Sequence, residues 1–226
     1  LVGSEMCIRD RFEIKIVWFV EDIRKCIENN TITEILNKIE VHKGDCVMVK
    51  DGTIHAIGAG ILICEIQQNS NCTYRMYDYD RRDKFGNRRE LHIDKAIDVV
   101  DVKKYKPFVS GNSDVPEGAE LLVSCKYFEC YKYVLGKSMD VDHNSDKNIC
   151  NNDDGNSDIV AKPATDRINI SVDTMSFRSI IVIEGSGKIT VGENEMDYRA
   201  GDSFFVTAGE KVVSVEGTGV IIVTKV

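Results

Sequence analysis

Two stretches of this 226-residue chain repeat one another. The first runs Gly44-Asp45, CVMVKD, Gly52, TI and His55; the second runs Gly201-Asp202, SFFVTA, Gly209, EK and Val212. Both read Gly-Asp, four mostly apolar residues, two more residues, Gly, two residues and a final position. Gly-Asp makes a tight turn into a buried strand, and the later Gly makes a second turn because glycine alone tolerates such backbone angles freely. The last residue is then expected to point into the body of a β unit. A chain that carries the pattern twice is expected to fold as two copies of one β architecture. The first copy ends on a residue that can bind a metal, His55. The second ends on Val212, which cannot, and is expected to face an apolar interior.

The rest of the pattern agrees with a mostly β chain. After residue 120 come short apolar β segments at 120–125, 127–134, 167–172, 179–184, 187–191, 202–206, 211–215 and 219–225, separated by turn residues. Strands so short and regularly punctuated argue for a sandwich or barrel. Before residue 100, segments 14–20, 46–50, 53–57, 61–67 and 73–80 read as strands. Residues 21–39 read as two short helices, with apolar stripes of Ile23, Cys26, Ile27 and of Ile32, Ile35, Leu36, Ile39. The Asn29-Asn30 pair breaks them, with Thr31 or Thr33 capping the second. Residues 90–100 are helical again. The expected layout is a leader of non-native character at 1–11, an incomplete first barrel with flanking helices at 12–100, a Pro- and Gly-bearing linker at 101–118 and a second barrel at 119–226. A solvated polar insertion interrupts the second barrel at 136–163.

Composition removes several functions. The 29 Lys+Arg against 37 Asp+Glu give a formal charge of −8, which disfavours nucleic acid and anionic membranes as partners. No apolar run approaches the roughly 18 residues of a membrane span. Residues 1–11 hold no apolar signal-peptide core. The eight cysteines include no CxxC pair, so they read as reduced thiols of a cytoplasmic protein, and a zinc ribbon is not expected. The Asp- and Asn-rich stretch after residue 139 fails as an EF-hand. Counted from Asp140, its sixth position is Ser145 where the turn needs Gly, and its twelfth is Asn151 where the ion needs Glu.

Downstream of His55 lies an unusual polar row. A hairpin turning at 58–60 would set His55 opposite Ile63 and Thr53 opposite Glu65. Cross-strand partners share a face, so Glu65, Gln67, Asn69, Asn71, Thr73 and Arg75 would line the same face as His55. Burying such a row for packing alone is costly. A polar substrate such as a sugar would use it; the other reading is a solvated face. His92, in a helical segment, reads as structural, and His42 and His143 as surface residues.

The Gly-Asp pattern resembles the second conserved motif of the cupins, small antiparallel jelly-roll barrels, although the motif's proline positions hold Lys50 and Thr207. The runs GTIHAIG, EIQQNSNCTYRMYDYDR and GNRRELHIDKA, with SIIVIEGSGKITVG and GDSFFVTAGE in the second half, resemble the class I mannose-6-phosphate isomerases in their shorter bacterial form, over residues 20–226. That resemblance implies two cupin-like barrels. It implies a zinc-dependent aldose–ketose isomerase interconverting D-mannose 6-phosphate and D-fructose 6-phosphate through a cis-enediol(ate). It implies His55 as a zinc ligand and Arg75 as a catalytic residue. Glu65, the one carboxylate in the polar row, is the candidate base or else holds Arg75 in place, with Gln67, Asn69, Asn71 and Thr73 as candidate substrate contacts. The family's Gln-x-His segment and a further Glu ligand have no counterpart before residue 42, so a C-terminal fragment is expected. The alternatives are a metal-free sugar-phosphate-binding module and a purely structural double barrel.

Overall fold

In the computed structural model of the protein, residues 2–4, 13–14, 20–37, 39, 41–58, 60–69, 72–102, 115–136 and 165–226 are described. The chain divides into two compact units, Leu1–Pro107 and Phe108–Val226. It is mostly β, with antiparallel ladders throughout the named strands and three helices among the described residues.

The first unit is built around its helices. Helix α1 (Val20–Glu28) presents Ile23 and Ile27 to the interior, α2 (Ile32–Ile35) adds Ile32, and α3 (Ile93–Val99) adds Ala96. The break at Asn29-Asn30 has a clear cause. Asn30 takes the left-handed conformation, φ 58°. Its N–H then reaches the Ile27 carbonyl at 3.1 Å and the Thr31 N–H reaches the Cys26 carbonyl at 2.8 Å. This double bond is the Schellman arrangement that closes a helix C-terminus. Thr31 stands at the start of α2 but makes no side-chain capping bond. Met76 completes the buried cluster, and Ile54, Tyr77 and Ile93 pack against it.

Among the described residues before residue 100, the named strands are short. Strand β2 (Glu13–Ile14) pairs with β3 (Leu36–Asn37), and residues 15–19 of the segment expected at 14–20 lie outside the described residues. Of segment 61–67 β4 (Leu62–Cys64) forms a ladder, its partner is β1 (Val2–Ser4), and no ladder between 53–57 and 61–65 is present among the described residues. Among the described residues, 46–50, 53–57 and 73–80 form no named strand, and some of their main-chain hydrogen bonds go to turns and to residues flanking α3. Thr53 N–H bonds the Lys50 carbonyl, Asp101 N–H bonds the Gly52 carbonyl and His92 N–H bonds the Arg75 carbonyl.

The second unit is a seven-stranded antiparallel sheet. Its strands are β5 (Ala119–Ser124), β6 (Glu129–Leu135), β7 (Arg167–Val172), β8 (Arg178–Val191), β9 (Asn194–Arg199), β10 (Ser203–Val206) and β11 (Lys211–Lys225). The segments expected at 179–184 and 187–191 are one strand, β8, and those at 211–215 and 219–225 are one strand, β11. Strand β9 was not expected, because its NEMDYR sequence is largely polar and only Tyr198 is buried. The two long strands pair along most of their length and change neighbours halfway. The first half of β8 bonds β10 and its second half bonds β9; the first half of β11 bonds β7 and its second half bonds β6. Four glycines mark the changeover, with Gly185 opposite Gly219 and Gly187 opposite Gly217, beside a register shift at Val220/Ile221. Glycines and bulges are how a sheet is bent on purpose. The fold-over encloses a core of Tyr131, Tyr133, Leu135, Ile170, Val182, Ile189, Val213, Val215 and Ile221 among others.

The repeated Gly-Asp pattern has a structural counterpart in both units. In each, residue four of a turn is the Asp. Asp45 N–H bonds the His42 carbonyl at 3.1 Å, and Asp202 N–H bonds the Arg199 carbonyl at 3.1 Å. Each Asp carboxylate then accepts the first residue's N–H, from His42 at 2.6 Å and from Arg199 at 2.9 Å. The glycines have nearly the same angle, φ 93° at Gly44 and 92° at Gly201. The final position needs a correction. Val212 is 53% exposed, whereas Val213 is fully buried. The period-2 alternation of β11 turns Val213 and Val215 inward, and Val212 does not face an apolar interior.

Candidate active site

The site residues read from the sequence all lie in the first unit. His55 is exposed and follows Ile54, which packs against the helical cluster. Its ring is oriented by one contact, Nδ1 to the Thr53 carbonyl at 3.0 Å. A carbonyl can only accept, so Nδ1 carries the hydrogen and a neutral ring presents a bare lone pair on Nε2. This is the orientation that metal-binding histidines use, the second nitrogen being fixed by a backbone acceptor.

Glu65, Gln67, Asn69 and Thr73 are exposed; Asn71 lies outside the described residues. Arg75 is half-buried and precedes Met76 of the helical cluster. Among the described residues, His55, Glu65 and Arg75 make no direct hydrogen bond or ion pair with one another. The described residues also include no group of three His, Cys, Asp or Glu side chains able to hold a metal ion. His55 therefore fits one position of a zinc site, and the described residues do not complete the set, since catalytic zinc takes three protein ligands.

Arg75 instead stands at the base of a closed loop, residues 75–92, that sequence reading passed over. Its backbone is held on both sides by His92. The Arg75 N–H donates to His92 Nδ1 at 3.2 Å, and the His92 N–H donates to the Arg75 carbonyl at 2.7 Å. The guanidinium Nη1 donates to the Glu90 carbonyl at 3.4 Å. Three residues further along each limb, Arg89 forms a two-pronged ion pair with the buried Asp78, with Nε to Oδ2 at 2.7 Å. Arg88 pairs with Asp80. At the tip Asp83 accepts N–H bonds from Phe85 and Asn87. The signal was in the sequence as the near-symmetric charges of YDYDRRDKFGNRRE about Lys84-Phe85-Gly86, which can zip a loop limb to limb.

The bond from Arg89, with the charges of Arg89, Arg81 and Arg75, holds the Asp78 carboxyl below the usual carboxylate range. A depressed carboxylate stabilises the fold above its unfolded pKa, about 3.9, and loses that contribution as pH falls through the lower folded value. Thermal unfolding of the first unit is therefore expected to be pH-independent in this respect near neutrality and to weaken below about pH 4. Asp78→Asn is expected to lower the melting temperature at pH 7 and to flatten the acid-side fall. A melting curve that falls with acid as steeply in the variant as in the wild type would contradict the assignment.

Comparison with known proteins decides the family. Residues 160–226 match the family described as mannose-6-phosphate isomerase, cupin domain. Over 206 residues, 90% of this chain and 56% of the other, the chain is 32% identical to mannose-6-phosphate isomerase ManA of Bacillus subtilis. The chain is a relative of the cupin-type mannose-6-phosphate isomerases. A Streptococcus mutans mannose-6-phosphate isomerase is 33% identical over 184 residues, 80% of this chain and 48% of that protein. The crystal structure of the Bacillus subtilis isomerase superposes with TM-score 0.74 and 25% identity, covering all of this chain and 62% of that one. The chain thus spans about half the length of the curated relatives it matches. Among its described residues no helix is long and apolar enough to cross a membrane.

Proposed function

We propose that this chain is the C-terminal part of a zinc-dependent mannose-6-phosphate isomerase, acting on a sugar phosphate in the cytoplasm. One observation carries the reading beyond kinship. The histidine of the GTIHAIG motif is held by Thr53 in the tautomer that offers Nε2 to a metal, in a chain 32% identical to the Bacillus subtilis isomerase. The remaining ligands are supplied from outside the described residues. Exposed apolar side chains beside the site, Leu62 at 66% and Ile57 at 44%, fit a first unit that further strands would cover.

Isomerisation moves a proton between adjacent carbons by way of a cis-enediol(ate), with negative charge developing on two neighbouring oxygens. Zinc, when bound, supplies Lewis-acid stabilisation of such charge. Arg75 supplies a fixed cation whose N–H groups, lightly engaged by one long bond to the Glu90 carbonyl, can turn to the substrate oxygens. Glu65 is the proposed base, being a carboxylate on the exposed polar row that also holds Gln67, Asn69 and Thr73. Gln67, Asn69, Asn71 and Thr73 are proposed to bind the sugar hydroxyls. The second unit is proposed to serve as scaffold.

The incomplete donor set among the described residues favours one other reading, a sugar-phosphate-binding module without catalysis. The test is a coupled assay of mannose 6-phosphate conversion by the natural protein containing this chain, before and after chelation and zinc add-back. Zinc-restored turnover is expected. Binding of mannose 6-phosphate without turnover under any metal condition would replace the isomerase by the binding module.

A further inference from the structure

We propose that His92 is a positioning residue for Arg75, and that the Asp78–Arg89 pair keeps it in place. The inference rests on the isomerase reading above. A guanidinium that stabilises developing charge works only if its backbone is fixed, because a displacement of about 1 Å can cost a hundredfold in rate. No strand ladder fixes Arg75, which lies in chain without named secondary structure. Residue 92 takes the place of the missing neighbour strand. It binds the Arg75 N–H with its imidazole Nδ1 and the Arg75 carbonyl with its own N–H. His92 is in turn held at the start of α3, where its carbonyl accepts the Ala96 N–H at 2.9 Å and Ala96 is buried in the helical cluster. The Tyr74 ring lies beside the imidazole, with centroids 6.3 Å apart. The Asp78–Arg89 pair sits in the same antiparallel register, three residues along each limb, so the loop is closed by two clasps. Asp78 is one of few buried charged groups among the described residues, and its bidentate partner satisfies it. The clasps thereby tie the Arg75 main chain to the start of α3, while its guanidinium is engaged by one long bond to the Glu90 carbonyl.

The imidazole must accept at Nδ1, so the role depends on an acceptor at that place and not on a ring as such. Asparagine can place its Oδ1 near the position of Nδ1; leucine cannot accept. In the natural protein, His92→Leu is expected to lower kcat for mannose 6-phosphate about ten- to a hundredfold with KM within about threefold and zinc content unchanged. His92→Asn is expected to restore kcat to within about fivefold of the wild type. Amide exchange at Arg75, read on the same variants, is expected to be slow in the wild type and His92→Asn and fast in His92→Leu. A His92→Leu protein with wild-type kcat overturns the proposal. So does a His92→Asn protein as impaired as His92→Leu, or Arg75 exchange that is equal in all three. A wild-type protein with no isomerase activity removes the isomerase reading itself, and the catalytic purpose of the clasp falls with it, while the exchange rates still report whether the clasp exists.

Discussion

Arg75→Ala in the natural protein is expected to reduce kcat about 10²–10³-fold, the cost of removing one preorganised donor at a developing oxyanion, and to leave bound zinc untouched. His55→Ala is expected to do the opposite, taking activity to the level of chelated protein by losing the metal. The split follows from what each side chain offers. The guanidinium holds no lone pair for a metal, whereas the His55 ring is oriented by the Thr53 carbonyl so that Nε2 does. Steady-state kinetics together with metal analysis of the two purified variants separate the roles. Zinc loss in Arg75→Ala, or full zinc with full activity in His55→Ala, would show the two positions wrongly assigned.

The largest stability effect is expected in the second unit, at the glycine crossing of β8 and β11. A Cβ on Gly219 would lie 1.9 Å from the Glu184 carbonyl oxygen, and one on Gly185 would lie 1.9 Å from that of Thr218. Both obstacles are main chain, so no rotamer change relieves them. Both glycines also have positive φ, 126° and 91°. Gly219→Ala must therefore separate the two strands where they change partners, and is expected to cost at least about 3 kcal/mol. Gly192→Ala serves as the control. Its φ is 61° but nothing lies within 4 Å of the added carbon, so only the left-handed strain of about 1 kcal/mol remains. Denaturant unfolding of the two variants checks the contrast. Equal losses would mean that the crossing is not a close backbone approach.

How much of this was legible in the sequence differs between the halves, for a physical reason. In the second half, alternation within 167–172 and the apolar runs of β6, β8 and β11 gave strands nearly in place, because each has a bonded neighbour and one buried face. The joins within β8 and β11 were missed since Gly185 and Gly217 fell in the gaps between expected strands when they are bends within continuous ones. β9 was missed because one buried tyrosine gives no period. In the first half, the helix break at Asn29-Asn30 was legible from local chemistry alone. The segments 46–50, 53–57 and 73–80 form no named strand among the described residues; pairing is a property of two segments and β propensity is a property of one. His55 and Arg75 were singled out through motif resemblance and their roles are proposals, whereas the Gly-Asp turn was legible through the repeat. The clasp by His92 was not, since an imidazole standing in for a strand carbonyl leaves no mark in spacing, and a histidine in a helical segment reads as structural.

The central claim is that this chain contributes His55 to a zinc site which other parts of the natural protein complete. Zinc binding by the 226-residue chain and by the natural protein, measured side by side by competition with a chelating indicator, tests it most directly. Weak binding without turnover is expected of the 226-residue chain, since one oriented histidine is short of the three protein ligands a catalytic zinc takes, and one tightly held zinc, lost on His55→Ala, is expected in the natural protein. A 226-residue chain that by itself holds one zinc tightly and converts mannose 6-phosphate at an ordinary enzymatic rate would contradict it.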